Sequence, residues 1–575
     1  MRLTPLRPAL AGLVLSLIAA GSAVAAPTIS SFTPTSGTIG NQVIVNGSGF
    51  TGATAVTFNG VAATYKVNSN TKITATVPIA ASTGDISVTA GGSTGTSATS
   101  FTVTPGMAVS LPVGHPDVKV IVSGAGFHAT NAVDLYFDSL DVELFVTSPT
   151  GTLSVVYQIP SSAQPGQHWI TFVERGSNWA AQRPFTVQTD WTQEGFGPFG
   201  RGANPYENTI NSGNVANLTA AWSGNAGGFS NPSPFVVADN IVFLGDVLGN
   251  IHVYSNTGAL LWTASPGASM QDVNPAAGLG RVFFGDSSGN VNSYLQTCRS
   301  DGGVCTPLWT TNIGSAVTAG LTYYQGTVYA PSNDGSIHTL NPTTGVQGTP
   351  IYGIDTSHGA VTTPVAFDVD GSFYYGVGTG IEYRLSWGSE GWTNYGGTLS
   401  PIAVNSGSAY FTTTDGLLHR FGSSSWDVAT SGTGCAAAPV YALGHVFAGG
   451  CTSLAAYIPK TGALYWSATT GQITGISEAN GVLYACEVAS FNGNLQAYDA
   501  SYGGYYWTGG LCSSAPEVTN GNVFAANTEV TGYDFPTVVG GVRPGLRPAP
   551  AISSLRPDYS LKPQLSSAVV VPSTE

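Results

Sequence analysis

The sequence predicts an all-β chain in which sandwich domains precede an eight-bladed β-propeller. Three observations predict it. A four-strand pattern recurs with a near-constant period from about Asn217 to Phe535. Short alternating strands with Gly, Asn and Ser turns fill the region before it. Only 8% of the residues are charged, against 75 glycines in 575 residues, a balance that suits a turn-rich β protein.

The first copy of the repeat sets the pattern. Pro234-Phe235-Val236-Val237 leads to Ile241-Val242-Phe243-Leu244, then to the turn Asp246–Asn250. Ile251-His252-Val253-Tyr254 follows, then Asn256-Thr257-Gly258 and Leu260-Leu261-Trp262. The central-turn glycine recurs at Gly249, Gly289, Gly335, Gly380, Gly416, Gly450 and Gly493, with gaps of 40, 46, 45, 36, 34 and 43 residues. A period of about 40–45 residues with four short strands per unit is the signature of a propeller blade. Second strands such as Arg281-Val282-Phe283-Phe284 and His445-Val446-Phe447-Ala448 carry the β-branched and aromatic residues that suit a strand buried between neighbouring sheets. Fourth strands carry Trp262, Trp309, Trp392, Trp426, Trp466 and Trp507, and the third unit has no such tryptophan.

The last unit has strands at Ala515–Val518, Asn522–Ala525 and one ending at Tyr533, but no fourth. Leu218-Thr219-Ala220-Ala221-Trp222 reads as a fourth strand with nothing before it. Pairing the two closes the ring and leaves no open sheet edge. Seven complete units and one shared unit make eight blades.

The phrases Asn256–Trp262, Lys460–Trp466 and Ala497–Trp507, with the lead-in Asn204–Ile210, resemble the pyrroloquinoline-quinone (PQQ) type repeat. The resemblance covers residues 191–535. It implies the propeller fold, and a superfamily that holds quinoprotein dehydrogenases, a non-enzymatic propeller of outer-membrane assembly and other exported propellers.

In chain order, residues 1–25 read as an export signal. Arg2 and Arg7 precede the apolar Ala9–Ala20, and Ala23-Val24-Ala25 is a small-residue cleavage site before Ala26. The apolar stretch is short for a bilayer. No Cys follows the cleavage site, unlike the lipoprotein assembly factors. The expectation is an exported protein, periplasmic or extracellular, with no integral membrane anchor. A formal charge of −14 argues against a nucleic-acid partner.

Residues 26–105 carry Ser31–Gly37, Gln42–Phe50 and Ala55–Gly60, with further strands at Lys72–Val77, Gly84–Thr89 and Ser100–Thr104. The Pro-x-x-Gly opening and the Gly-x-Gly-Phe phrase resemble the IPT/TIG domain, an immunoglobulin-like sandwich. Residues 106–188 are read as a second, divergent copy, because Val118–Phe127 repeats the Gly-x-Gly-Phe phrase and Ala132–Phe137 the strand after it. Trp169 and Trp179 are read as packing residues. Residues 189–535 are the propeller. Residues 536–575, with seven prolines, read as an extended, disordered tail in which Arg543, Arg547 and Arg556 are solvated.

Six cysteines fit an oxidising compartment. Topology pairs Cys298 with Cys305 across a long hairpin turn of blade two, and Cys435 with Cys451 along a hairpin of blade six. Cys486 and Cys512 remain, and are expected to tie blades seven and eight. No Cys-x-x-Cys pair supports zinc.

No catalytic set is legible. The adjacent cysteines of the larger alcohol-oxidising quinoproteins and a Cys-x-x-Cys-His haem site are absent, and no family catalytic residue maps onto this chain. His252, His338 and His419 lie on third strands of blades one, three and five, too far around the ring to share a metal. Asp368-Val369-Asp370-Gly371 lacks the later ligands of a calcium loop and reads as a hairpin turn. The reading is therefore a secreted, non-enzymatic binding or scaffold protein. Its propeller face engages protein or glycan, and its sandwiches act as spacers or adhesive modules. No metal or cofactor is expected. The alternatives are a PQQ-dependent oxidoreductase, with PQQ and calcium, and an outer-membrane assembly-type propeller.

Overall fold

A computed structural model describes residues 26–78, 81–177, 179–225, 235–352, 358–488, 493–536 and 549–565. The export signal expected at residues 1–25 lies outside them. None of the described helices is long and apolar enough to cross a membrane.

The first sandwich packs two sheets. One orders Thr28–Thr33, Gln42–Ser48, Lys72–Thr76 and Tyr65–Ser69; the other is built around Ser93–Val103, Gly84–Ala90 and Ala53–Phe58. Phe32, Val45, Phe50, Phe58, Ile73 and Phe101 fill the space between them. The Gly-x-Gly-Phe phrase has a steric cause. A Cβ on Gly47 would meet Thr28 O at 1.8 Å, Gly49 has φ +75°, and Phe50 is fully buried. Residues 106–187 form a second two-sheet sandwich around Val122, Leu135, Phe172 and Phe185. Its Trp179 packs on His128 at 4.3 Å.

The propeller region forms eight four-stranded antiparallel units, with additions at the edges of two of them. Blade one consists of Phe235–Ala238, Ile241–Gly245, Ile251–Ser255 and Leu260–Ala264. The ring closes as the sequence implied: Thr219–Asn225 pairs antiparallel with Glu529–Asp534 and supplies the fourth strand of blade eight. Blades four and seven depart from the expected register, because Gly380 and Gly493 each open a third strand, and in blade four Gly378 holds the left-handed turn backbone (φ +56°).

The repeated tryptophans lock blade to blade. Trp222 donates its indole N–H to Asn256 O (2.8 Å), Trp262 to Gln296 O (2.9 Å) and Trp309 to Pro342 O (3.1 Å), each in the following blade. Trp426, Trp466 and Trp507 do the same toward Pro459, Ala500 and Leu218. The Thr-Gly phrase of the repeat serves this contact. Gly258 and Gly462 have φ of +86° and +71°, and a Cβ on either would lie 2.6 or 2.8 Å from the indole of the blade before. Only glycine meets both demands without strain. Trp392 is the exception. It stacks on His358 at 4.0 Å, and its buried indole N–H has no partner.

Disulfides join Cys298–Cys305, Cys435–Cys451 and Cys486–Cys512. The first pins a loop whose Gly303–Val304 adds a fifth strand to the outer edge of blade one. The last lies within blade seven and does not tie it to blade eight. Cys512 ends that blade's fourth strand, Tyr505–Cys512, which runs longer than the repeat suggested.

The tail also differs from expectation. Residues 549–565 are placed against the second sandwich, where Gln564–Leu565 pairs in parallel with Leu140–Val146. The edge of that sheet offers unpaired backbone groups, and an extended segment covers them. Of the three tail arginines, Arg556 bonds backbone carbonyls of its own segment, and Arg543 and Arg547 lie outside the described residues.

Candidate functional site

The central channel is organised by a largely irregular segment, residues 189–206. It crosses one end of the ring and touches the inner strand of every blade. Trp191 exchanges backbone hydrogen bonds with Val237 of blade one (2.8 and 2.9 Å). Thr192 O accepts from Ala277 N in blade two, and Gln193 Oε1 accepts from Tyr323 N in blade three. The carbonyls of Pro198, Phe199 and Arg201 accept from Phe367, Val404 and Tyr441 in blades four, five and six. Ala203–Asn204 pairs in parallel with the first strand of blade seven. The Asn204 amide donates to Val518 O, and Asn520 Oδ1 accepts from Thr189 N, in blade eight. Tight passages are glycine. A Cβ on Gly200 would meet Ile402 O at 2.2 Å, with φ already at +60°.

This strap floors a cavity of about 380 Å³. The walls are the segments that enter each first strand: Thr318–Thr322, Thr362–Ala366, Pro401–Ile402 and their equivalents. Most of the lining is small, with Trp191 and Phe235 as the aromatic surfaces. Among the described residues three acids enter it: Glu194 from the strap, Asp272 from the approach to blade two, and Glu517 from blade eight. Among the described residues, no Lys, Arg or His lines the cavity.

Burial pushes the Glu194 carboxyl up to about 7, with the Asp272 charge adding and a hydrogen bond to Asn274 opposing. Burial and then the charge of Glu194 raise Glu517 well above the ordinary range. Three lining atoms are buried with no protein partner: Thr362 Oγ1, Ser514 Oγ and Glu517 Oε2. Buried polar groups are normally satisfied, so orphaned atoms that face a cavity call for water or ligand. Two further acids lie beside or within the strap. Glu478, in blade seven, is raised to about 7 and Asp190 to about 6, both mainly by burial.

The residues weighed from the sequence lie elsewhere. His252 Nε2 pairs with Asp246 (3.2 Å), His338 Nε2 with Asp334 (3.1 Å), and His419 Nδ1 with Asp427 (2.7 Å), each within its own blade. The structure does not bring them together, and no group of three or more metal-ligating side chains occurs among the described residues. Asp368–Gly371 is the hairpin turn, with Gly371 at φ +87°.

Sequence reasoning missed Glu194, Asp272 and Glu517. For Glu517 a signal existed. The first residue after the strand-opening proline is Phe235, Ala276, Val365, Ile402 and Val440 in five blades, and Glu517 in blade eight. A carboxylate at a register position that is otherwise apolar marks a departure from packing.

Comparison with known proteins agrees with this architecture. Residues 27–103 match the family model described as the IPT/TIG domain. Residues 210–425 match the model described as outer membrane protein assembly factor BamB. The chain thus joins an IPT/TIG match at its N-terminal end to a propeller whose repeats match the PQQ-like model. Among solved structures, the propeller protein resembles quinohemoprotein alcohol dehydrogenase ADHIIG from Pseudomonas putida. That likeness has 12% identity and a TM-score of 0.50, and covers 64% of this chain and 82% of that one. The quinohemoprotein alcohol dehydrogenase of Comamonas testosteroni matches at 14% identity and TM-score 0.49, over 63% and 82% of the two chains. BamB from Moraxella catarrhalis matches at 13% and 0.42, over 55% and 98%. At such identities the likeness is one of fold. No curated protein matches the chain.

Proposed function

We propose that this PQQ-like propeller protein is an exported, non-enzymatic binding protein. Its channel takes a neutral, hydroxyl-rich ligand such as the end of a glycan chain. The observation that carries the reading is the lining: a cavity floored by the strap, with unpartnered Thr362, Ser514 and Glu517 oxygens and, among the described residues, no basic side chain. Carboxyls raised toward neutrality both donate and accept hydrogen bonds, as sugar hydroxyls do. The cavity volume falls in the small-molecule range of about 300–1,000 Å³. The three disulfides suit export.

PQQ does not fit this lining. It is an anionic tricarboxylate, and the described lining residues offer it no cationic side chain.

The test is a glycan array followed by calorimetry on the full chain and on Glu517→Val. Saturable binding of a neutral oligosaccharide, lost in the variant, supports the reading. Binding that Glu517→Val leaves unchanged, or no glycan binding at all, overturns it. A second reading rests on the assembly-factor match over residues 210–425: the open propeller face would engage an outer-membrane protein. A purified outer-membrane β-barrel protein that binds where the array is blank would favour it.

A further inference from the structure

We infer that the second sandwich is a peptide-binding module, which recognises an extended segment carrying a leucine and, four residues on, a tyrosine. The chain's own residues 552–565 are its tethered ligand. The groove lies along Leu140–Val146, Ala132–Phe137 and the turn Arg175–Ser177. The contacts made there are of the kind that hold a peptide. Arg175, fixed by its fork to the buried Asp134 (2.6–2.9 Å), donates to the main-chain carbonyl of Asp558 (2.9 Å). Asp141 Oδ2 accepts from the main-chain N–H of Asp558 (2.6 Å). Gln564–Leu565 extends the sheet through its backbone. These contacts read the main chain and leave sequence preference to side chains, as in strand-addition recognition.

Two side chains supply that preference. Leu555 is 6% exposed in an otherwise open tail. The Tyr559 ring lies 5.1 Å from the Arg175 guanidinium yet is 80% exposed. The seated segment fills the groove incompletely. A cavity of about 530 Å³ remains between Ser553, Leu555 and Pro557 on one side and Asp134, Tyr136 and Arg175 on the other. The buried Tyr136 hydroxyl and Asp141 Oδ1 have no partner. A segment with larger or more polar residues at the positions of Ser553 and Pro557 would use this space and these atoms. A tethered ligand competes at an effective concentration on the order of mM, so a partner segment must displace the tail.

The test uses a fluorescein-labelled synthetic peptide of residues 549–565, with full-length wild-type chain and full-length Leu555→Asp. The variant chain is expected to bind the peptide at least tenfold more tightly than wild type, because its own tail has lost its anchor. A peptide carrying the same Leu555→Asp change is expected to bind roughly ten- to hundredfold more weakly, the usual worth of one buried leucine. Hydrogen exchange along Leu140–Val146 should quicken in the variant and recover on adding peptide, which separates loss of docking from loss of the sandwich. Equal affinity for the two chains, or no binding to the variant chain, overturns the inference.

Discussion

Replacing Glu517 by Val should stabilise the protein while abolishing its ligand binding. Glu517 is 5% exposed, and its Oε2 has no partner. Leaving a buried polar atom unsatisfied costs about 1–3 kcal/mol. Valine is already the residue at this register in blades four and six, at Val365 and Val440, so the site accommodates it. The gain should therefore be about 1–3 kcal/mol near pH 5. It should grow as pH rises, for a definite reason. A carboxyl whose folded pKa is raised binds more protons in the folded than in the unfolded state, so wild-type stability falls from the unfolded pKa upward. The variant carries no such group. Guanidinium denaturation followed by circular dichroism at pH 5 and pH 8 reads both effects. A variant less stable than wild type, or a gap that does not change with pH, refutes the reasoning. In the first case Glu517 would be a structural residue, and the orphaned oxygen would have a partner in solution.

Three further outcomes are expected. Trp262→Phe should destabilise by about 2–4 kcal/mol, from the unpaired Gln296 carbonyl and the lost volume, whereas Trp392→Phe, which breaks no inter-blade hydrogen bond, should lose about 1 kcal/mol; denaturation midpoints compare the two. Glu478→Gln should leave stability unchanged below about pH 4.5 and raise it through pH 7, by at most about 3 kcal/mol, since the Glu478 pKa rises to about 7; melting across pH reads this. Replacing Cys298 and Cys305 by Ser should lower stability by about 2–3 kcal/mol and speed exchange of the Gly302 and Cys305 amides, which bond Leu261 O and Thr263 O at the edge of blade one.

Much of the architecture was legible because it repeats. A glycine every 34 to 46 residues, a tryptophan on six fourth strands and an orphan fourth strand at Leu218–Trp222 were enough to count eight blades and close the ring. The physical cause of the Thr-Gly phrase, a glycine beneath the neighbouring indole, was not legible, because it is a contact between units. The strap of residues 189–206 has no periodicity. Its order comes from eight first strands that each offer it a hydrogen bond, and a linear reading carries no trace of that. The channel acids were missed for the same reason. Glu194, Asp272 and Glu517 come from three distant stretches, and only Glu517 breaks a recurring position. The docked tail was missed because its composition is that of an unstructured segment. One buried leucine and a sheet edge several hundred residues away hold it in place.

The most direct measurement is calorimetric titration of the purified full chain with PQQ, calcium present, alongside the best neutral oligosaccharide. A channel lined by acids should take up the oligosaccharide saturably, in competition with no amount of PQQ, and give no heat with PQQ itself. Saturable PQQ binding, with substrate-dependent reduction of a dye, would contradict the binding-protein reading and make Glu194, Asp272 and Glu517 the residues of a quinoprotein site.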